Sequence, residues 1–320
     1  MNVLVFGLGA LGTVYSCLLK GQGHQVYGID MAPTVEVISQ QGVEVSGIWG
    51  EHSAYLDGVV CDAAELGAGD YDLIILTVKA FDTALAAEKL RSVLSPHTRV
   101  LLAQNGYGNY EAALDYIPAE QLIVGRIIFG SETTAPGKAK VTVIADDVIR
   151  GSPEGLIDYS WLEKLADLFS QAGIPTRASD RIMQYVWGKI IYNSALNPLG
   201  AILEVAYGRL AEIEHTRQLM DSIIEEIFTL LSAMGQEVLW KDAAEYRTAF
   251  YEQMLPTTAG HHASMLQDIQ RGRRTEIDAL NGAVVELGRK FKVDTPVNAV
   301  ITALLKGKET MFLKPVPQIS

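Results

Sequence analysis

The chain has 320 residues, 48% of them hydrophobic and 20% charged, and its formal net charge at pH 7 is −12. A chain of this length favours two domains over one, and the composition is that of a soluble globular protein. The negative charge argues against nucleic acid and anionic membrane surfaces as partners, and no apolar run approaches the roughly 18 residues that a membrane span requires.

The N-terminus and the cysteines favour a cytoplasmic location. The first residues lack the basic segment of a signal peptide, and their apolar run ends in a glycine-rich turn, so we interpret the run as a first strand. Cys17 and Cys61 are too few for a disulfide framework or a metal cluster.

A βαβ unit is predicted at the start of the chain. Residues 2–6 form an apolar strand, a helical pattern extends to about Lys20, and a second strand at residues 25–29 is followed by Asp30. The turn before the helix reads Gly7-Leu-Gly9-Ala10-Leu11-Gly12. A glycine-rich turn in this context, with an acidic residue after the second strand, is typical of a Rossmann-type dinucleotide-binding domain.

The three glycines have separable roles. Gly7 permits the tight turn, Gly9 lets the backbone approach a pyrophosphate, and Gly12 lets the helix pack on the strand. The exposed amides of the first helical turn, which includes Ala10 and Leu11, then face the phosphates. The alternative is a glycine turn that binds no ligand.

Asp30 bears on the choice of dinucleotide. A carboxylate at the end of the second strand can accept both ribose hydroxyls of NAD and repels a 2′-phosphate. The residues that follow, 31–35, supply no Arg or Lys to neutralise that phosphate. We therefore expect NADH, with a simple turn-capping role of Asp30 as the alternative.

The rest of the first half alternates strands and helices. Residues 71–78 are a nearly continuous apolar run, as in a strand buried on both faces of a parallel sheet, and they end at Lys79. A strand at residues 100–102 leads into Gln104-Asn105-Gly106, which suits close approach to a ribose or nicotinamide and equally suits an ordinary turn. Further elements are predicted as short strands within 42–60, a helix at 82–94, strands at 122–129 and 139–150, and a helix at 161–172.

From about Arg181 onward the pattern is helical, with no clear strand. We place the domain boundary near residue 178, which gives an α/β dinucleotide-binding domain at 1–178 and an all-α substrate-binding domain at 179–320. Residues 204–234 are predicted as one major helix, with an interruption near Gly208. The long apolar helices are compatible with a homodimer.

Within the helical half, residues 184–200 are apolar except for Lys189, Asn193 and Asn197, which recur at intervals of four. In a helix this spacing places the three side chains on one face. Buried ammonium and amide groups need polar partners, and an anionic, oxygen-rich ligand would supply them. The alternative is the solvent-facing stripe of an ordinary amphipathic helix.

A second polar cluster begins at His261 and His262 and continues through Ser264, Asp268 and a run of arginines. The two histidines lack an acidic residue or a further histidine at ligand spacing, so we predict no metal site. We predict that the arginines at 271, 273 and 274 lie at a solvated helix end.

Taken together, these motifs resemble the ketopantoate reductase family (2-dehydropantoate 2-reductases) over essentially the whole chain. The matching segments are the glycine turn, Val78–Phe81, Gln104–Gly106 with Asn109, Trp187–Pro198, and Ser264–Asp268 leading into Gly272–Asp278.

The resemblance implies NAD(P)H-dependent reduction of ketopantoate to (R)-pantoate. It assigns Lys189 as the acid that protonates the developing alkoxide and Glu276 as a residue that orients the substrate and the lysine. Asn193, Asn197 and Ser264 would bind the carboxylate and hydroxyls of the substrate. Asn105 would contact the nicotinamide ribose, and Lys79 would lie on the cofactor side.

One position departs from the family pattern. Members that use NADPH carry a basic residue just after the second strand, where this chain has Asp30. A second hypothesis is therefore an NADH-dependent reductase of another bulky branched or aromatic 2-oxo acid. A third is a dinucleotide-binding sensor without turnover.

Overall fold

A computed structural model describes residues 1–66 and 70–312, and the chain divides into two compact units, Met1–Ile182 and Met183–Ser320. Residues 176–178, where the sequence pattern places the domain boundary, form the last strand of the first unit. The predicted order, an α/β unit followed by a helical unit, is confirmed.

The first unit contains the strands of the described chain. They are β1 Asn2–Phe6, β2 Gln25–Ile29, β3 Val43–Gly47, β4 His52–Ala54, β5 Gly58–Val60, β6 Leu73–Leu76, β7 Arg99–Leu102, β8 Leu122–Arg126, β9 Phe129–Ala135, β10 Lys138–Ile144, β11 Val148–Gly151 and β12 Thr176–Ala178. Its α-helices are α1 Ala10–Gly21, α2 Ala32–Gln41, α3 Thr83–Leu90, α4 Asn109–Leu114 and α5 Tyr159–Gln171.

Eight strands form the main sheet, in the order β12-β11-β8-β7-β6-β1-β2-β5. All neighbours are parallel except β8 and β11. Strand β1 lies inside the sheet, and Val3, Leu4 and Val5 are fully buried, as expected of a parallel strand covered on both faces. The carboxyl ends of β1, β2, β6 and β7 therefore lie along one edge, where α/β proteins bind ligands.

A smaller sheet has the order β4-β3-β10-β9. The prediction of one strand at residues 139–150 is wrong, because this segment supplies β10 to the small sheet and β11 to the main sheet. Between them, Asp146 accepts a hydrogen bond from Arg126 at 2.8 Å, and Asp147 accepts one from Arg177 at 2.8 Å. Both turn residues are thus held by arginines at the point where the chain passes from the small sheet to the main sheet.

Helix α1 packs against β9 and α5 through Tyr15. Its ring meets those of Phe129 and Phe169 edge-on, with centroids 6.3 and 5.5 Å apart. The fully buried guanidinium of Arg150 lies 3.2 Å from the Phe169 ring centroid and donates a hydrogen bond to the Tyr15 hydroxyl at 3.3 Å. Burial lowers the pKa of Arg150 to about 10, which leaves it a cation at neutral pH.

The second unit is helical throughout its described part. Its helices are α6 Ile182–Leu203, which begins at the last residue of the first unit, α7 Tyr207–Glu212, α8 Glu214–Met234, α9 Ala243–Ala249, α10 Leu255–Thr257, α11 Ser264–Gln270, α12 Asn281–Phe291 and α13 Pro296–Phe312, with a π-helical segment at Phe250–Met254. The prediction of one major helix at 204–234, interrupted near Gly208, is wrong in its bounds, because Gly208 lies inside α7 and the breaks fall on either side of that helix. Glu204 has φ +58 and follows the end of α6, and extended backbone at Ile213 separates α7 from α8.

Helix α6 is buried on nearly every side, with Trp187, Ile191, Ala195 and Leu196 at most 1% exposed. Helices α8, α12 and α13 pack against one another. Among the described helices, none combines the length and the hydropathy needed to cross a bilayer.

Candidate functional site

The glycine turn joins β1 to α1, and its three glycines have different structural roles. Gly7 has φ +99, a conformation that favours glycine, and its amide donates a hydrogen bond to the Ile29 carbonyl at 2.8 Å. A Cβ on Gly12 would lie 1.8 Å from the Gly7 oxygen. A Cβ on Gly9 would have nothing within 4 Å. The turn therefore needs Gly7 for conformation and Gly12 for packing, and it leaves open space at Gly9.

Helix α1 begins next to this open space, at Ala10 and Leu11, both half-buried. Its N-cap residue, Gly9, has no side chain to accept a hydrogen bond from the first helical amides. Amides at such a helix start attract anions, because they are unsatisfied donors at the positive end of the helix dipole. The geometry fits the phosphates of a dinucleotide.

Thr77, just after β6, fixes the turn from the side. Its hydroxyl is within hydrogen-bond distance of two carbonyl oxygens, those of Phe6 at 3.1 Å and Gly7 at 2.5 Å. In the sequence, Thr77 lies within the apolar run 71–78, whose pattern predicts a strand and indicates no separate role for this residue. Only the pairing of β1 with β6 brings it to the turn.

Asp30 joins the end of β2 to the same turn. Its Oδ2 accepts a hydrogen bond from the Leu8 amide at 2.5 Å, and its Oδ1 accepts one from the Met31 amide at 2.7 Å. Asp30 thus caps the turn. A carboxylate oxygen can accept more than one hydrogen bond, so both oxygens retain capacity for ribose hydroxyls.

Lys79 and Asn105 follow the neighbouring strands β6 and β7 at the same edge of the sheet, and both are half-buried. Lys79 precedes a short 3-10 helix at Ala80–Asp82. The loop at Asn105 is held by the Asn109 side chain, whose Nδ2 donates a hydrogen bond to the Asn105 carbonyl at 2.9 Å. The Thr83 hydroxyl in turn donates to Asn109 Oδ1 at 2.8 Å.

In the second unit, α6 carries Lys189, Asn193 and Asn197 on successive turns. The two asparagines are 9% and 7% exposed, and Lys189 is half-buried. The solvent-stripe interpretation is therefore wrong for the asparagines. Asn197 Oδ1 accepts a hydrogen bond from the Tyr207 hydroxyl at 2.5 Å, and burial raises the pKa of Tyr207, which keeps it protonated as the donor.

Ser264 is the exposed first residue of α11. The residue before it, Ala263, packs near α6, since a Cβ built on Gly200 would lie 3.6 Å from the Ala263 Cβ. This contact places the start of α11 beside the later part of α6.

Glu276 is half-buried and directly precedes a short 3-10 helix at Ile277–Ala279. Residues close to Glu276 in sequence form a hydrogen bond and an ion pair with α13. The Thr275 amide donates a hydrogen bond to the buried Glu309 carboxylate, and Asp278 forms ion pairs with Lys306 at 2.5 Å and Arg274 at 3.1 Å. Burial alone would raise the pKa of Asp278, but hydrogen bonds from Lys306 and Arg274 outweigh it and leave the pKa lowered.

The two adjacent histidines, His261 and His262, lie in different surroundings. The His261 ring lies edge-on to that of Tyr207 with centroids 5.4 Å apart, and His262 is exposed. Over residues 1–66 and 70–312, no three His, Cys, Asp or Glu side chains are grouped to hold a metal. The neighbouring arginines include Arg273, which pairs at 2.8 Å with the buried Asp268.

Comparison with known proteins gives consistent matches along the chain. The family model described as ketopantoate reductase PanE/ApbA matches residues 3–153, and the model of its C-terminal part matches residues 181–309. The 2-dehydropantoate 2-reductase of Aquifex aeolicus is 44% identical over 98% of this chain and 99% of its own. That of Pyrococcus abyssi is 31% identical over 97% and 99%.

Solved structures with the same fold include two that cover the chain almost completely. A ternary structure of D-mandelate dehydrogenase with NADH and anilino(oxo)acetate has a TM-score of 0.88 and 29% identity, and it covers 98% of this chain and 99% of its own. A ketopantoate reductase from Ralstonia eutropha has a TM-score of 0.86 and 27% identity, with 98% and 100% covered.

Proposed function

Because this chain belongs to the ketopantoate reductase family of nicotinamide-dependent oxidoreductases, we propose that it reduces ketopantoate to (R)-pantoate with NAD(P)H. This reaction would serve the synthesis of pantothenate and coenzyme A. The observation that carries the proposal is the face of α6 on which Lys189 and two nearly buried asparagines are stacked, in a chain that matches the family along nearly its whole length.

The polar groups of this face and Glu276 have separate tasks in the reaction. Bound NAD(P)H supplies the hydride to the carbonyl carbon of the substrate. Lys189 Nζ gives a proton to the carbonyl oxygen as negative charge develops there, and solvent then restores the proton to the lysine. Glu276 orients the substrate and the lysine.

The two asparagines and Ser264 bind the substrate's carboxylate and hydroxyls. Because the Asn197 oxygen accepts a hydrogen bond from Tyr207, its NH2 group is the end left to meet a ligand. An NH2 donor suits a carboxylate. Ser264, exposed at the start of α11, adds a hydroxyl that can donate or accept.

On the first unit, the turn Gly7–Gly12 and the start of α1 bind the pyrophosphate, and Asn105 contacts the nicotinamide ribose. Asp30 accepts the adenosine ribose hydroxyls, and Lys79 lies on the cofactor side. We propose a preference for NADH. It is supported by the Asp30 carboxylate at the turn, by the absence of Lys and Arg from residues 31–41, and by the NADH bound to the similar D-mandelate dehydrogenase.

A second candidate keeps this chemistry and changes the substrate to a bulky branched or aromatic 2-oxo acid. Two observations favour it, namely Asp30 in place of a basic residue and the structural likeness to D-mandelate dehydrogenase. A third, a dinucleotide sensor, predicts NADH binding without oxidation of NADH by any 2-oxo acid.

One set of assays separates the three. Initial rates are measured with ketopantoate, 3-methyl-2-oxobutanoate and phenylglyoxylate, each with NADH and NADPH, on the wild type, Lys189→Ala and the exposed control Lys290→Ala. We expect ketopantoate and NADH to give the highest kcat/KM and Lys189→Ala to lower kcat by about 10²–10⁴-fold. An unchanged kcat in Lys189→Ala removes the assigned acid, and a higher kcat/KM with phenylglyoxylate selects the second candidate.

The proposal includes a homodimer in the cytoplasm. Val300, Leu304 and Met311 are 59%, 54% and 81% exposed and share one face of α13, as apolar residues do at helical interfaces. Light scattering measures the molar mass of the wild type and of Leu304→Lys. We expect a dimer for the wild type and a monomer for Leu304→Lys, because the charged lysine should dissociate the interface. A monomeric wild type excludes it.

A further inference from the structure

One backbone hydrogen bond of helix α6 is missing, which leaves a gap in the turn between the proposed substrate ligands Asn193 and Asn197. Pro198 lies inside the helix and has no N–H to donate to the carbonyl of Ser194, four residues earlier. Ser194 is fully buried, so bulk solvent does not reach this carbonyl. A buried carbonyl without a donor is costly, and the helix needs another group at this point.

Asn281, the first residue of α12, supplies that donor. Its Nδ2 donates a hydrogen bond to the Ser194 carbonyl at 3.1 Å and a second one to Asn298 Oδ1 at 3.0 Å. Asn281 is fully buried, and its own side-chain oxygen meets no hydrogen-bond partner within the described chain. The amide is therefore oriented by the two bonds that it donates.

Asn298 and Glu226 hold Asn281 in this orientation. Asn298 is fully buried at the start of α13, and its Nδ2 donates a hydrogen bond to Glu226 Oε2 at 2.7 Å. The same carboxylate accepts the amides of Val297 at 2.7 Å and Asn298 at 3.0 Å. A carboxylate at a helix N-terminus is stabilised by the free amides and by the helix dipole, which makes Glu226 a firm anchor.

The other end of α13 holds the end of α6. Lys308 Nζ donates hydrogen bonds to the carbonyls of Ala201 at 2.8 Å and Ile202 at 3.2 Å, and it pairs with Glu204 at 2.7 Å. A cation at the last carbonyls of a helix satisfies them and complements the dipole. The part of α6 after the gap is thus attached to α13, directly at its end and through Asn281 at its start.

We propose that Asn281 is a positioning residue of the substrate site. By replacing the hydrogen bond that Pro198 removes, it fixes the turn of α6 between Asn193 and Asn197 and so sets the spacing of their amides. This inference rests on the proposed function, because it takes these asparagines as ligands of a 2-oxo acid. Asn281 touches no substrate and acts through the backbone of α6.

The test uses a four-variant cycle of wild type, Asn281→Ala, Pro198→Ala and the double variant. The alanine that Pro198→Ala introduces has an N–H that can donate to the Ser194 carbonyl, so it replaces what Asn281→Ala removes. We expect Asn281→Ala to raise KM for the 2-oxo acid about five- to tenfold, as for one lost hydrogen bond, with the NADH Kd within about twofold of the wild type. The double variant should recover most of the KM change.

The split between kcat and KM and two further variants separate positioning from simple loss of folded enzyme. A reduced folded fraction lowers kcat at constant KM, whereas misplaced ligands raise KM. Glu226→Gln weakens the anchor while the fold is kept. It should also raise KM for the 2-oxo acid, by a smaller factor than Asn281→Ala does. Gln253→Ala, at an exposed amide of the same unit, should leave KM and kcat unchanged.

The Tm of the four variants gives a readout that does not depend on activity. The fall in Tm caused by Asn281→Ala should be clearly smaller in the Pro198→Ala background. Equal falls in the two backgrounds, or an unchanged KM in Asn281→Ala, would overturn the inference. If the wild type turns over no 2-oxo acid, the proposed function fails, and the Tm cycle still decides whether Asn281 fills the gap.

Discussion

The carbonyl oxygen of Gly7 occupies the space that a side chain on Gly12 would need, 1.8 Å from the position of its Cβ. The oxygen belongs to backbone that is itself constrained, since Gly7 has φ +99 and its amide bonds to Ile29. Neither partner can move away by a change of rotamer. Gly12 is therefore a requirement of the fold, whether or not a nucleotide is bound.

Gly12→Ala should consequently destabilise the first unit. We expect a loss of about 3 kcal/mol or more in the free energy of unfolding, because the added methyl group overlaps the backbone. Urea or thermal unfolding followed by circular dichroism measures it. A variant as stable as the wild type would mean that α1 can shift away from β1 at no cost.

Gly9→Ala should leave the stability nearly unchanged and weaken the binding of NADH. Gly9 has φ −68 and ψ −163, which alanine adopts without strain, and its Cβ would meet nothing within 4 Å. We expect stability to change by less than about 1 kcal/mol, whereas the Kd for NADH should rise about tenfold or more, because the methyl group enters the space assigned to the pyrophosphate. Fluorescence titration with NADH measures the affinity. An unchanged Kd would show that the dinucleotide does not approach Gly9.

Asp30→Asn should weaken the discrimination against NADPH. The substitution keeps one side-chain oxygen, which can still accept the hydrogen bond that the Leu8 amide gives to Asp30, and it removes the negative charge that would repel a 2′-phosphate. We expect the ratio of kcat/KM for NADH to that for NADPH to fall about tenfold. Asp167→Asn, at an exposed aspartate on α5, is the control and should leave the ratio unchanged. A constant ratio in Asp30→Asn would confine Asp30 to capping the turn.

The features that the sequence predicted well are those whose signal is local. The βαβ unit was predicted nearly to the residue, because the strand, turn and helix follow one another within residues 2–29. Helix α6 was recognised from its spacing of polar residues. Helix α2 was missed, since only Ile38 is buried in it and its apolar pattern is correspondingly weak.

The features that the sequence did not predict depend on contacts between distant residues. Thr77 reaches the Gly7 carbonyl across 70 positions, and Asn281 reaches the Ser194 carbonyl across 87. Neither residue type signals such a role in a single sequence. Pro198 was visible as a proline in a helical pattern, but the group that compensates for it could be found only from the packing of α6 against α12.

The attachment of the segment around Glu276 to α13 should depend on pH through Asp278. The hydrogen bonds from Lys306 and Arg274 lower the pKa of this carboxyl in the folded protein. A carboxyl whose pKa is lower when folded than when unfolded stabilises the fold fully above its unfolded pKa, and the contribution is lost as the pH falls through the folded pKa. Asp278→Asn should therefore lower the free energy of unfolding at neutral pH and leave it unchanged in acid.

We expect Asp278→Asn to lower the free energy of unfolding at pH 7 by at most about 1 kcal/mol, because the Asp278 side chain is 42% exposed and solvent screens its ion pairs. The difference from the wild type should shrink as the pH falls below about 4. Urea titrations at a series of pH values measure it, with Asp294→Asn, at an exposed aspartate of the same unit, as the control. A difference that persists unchanged into acid would mean that the side chain acts through packing and that its charge contributes nothing.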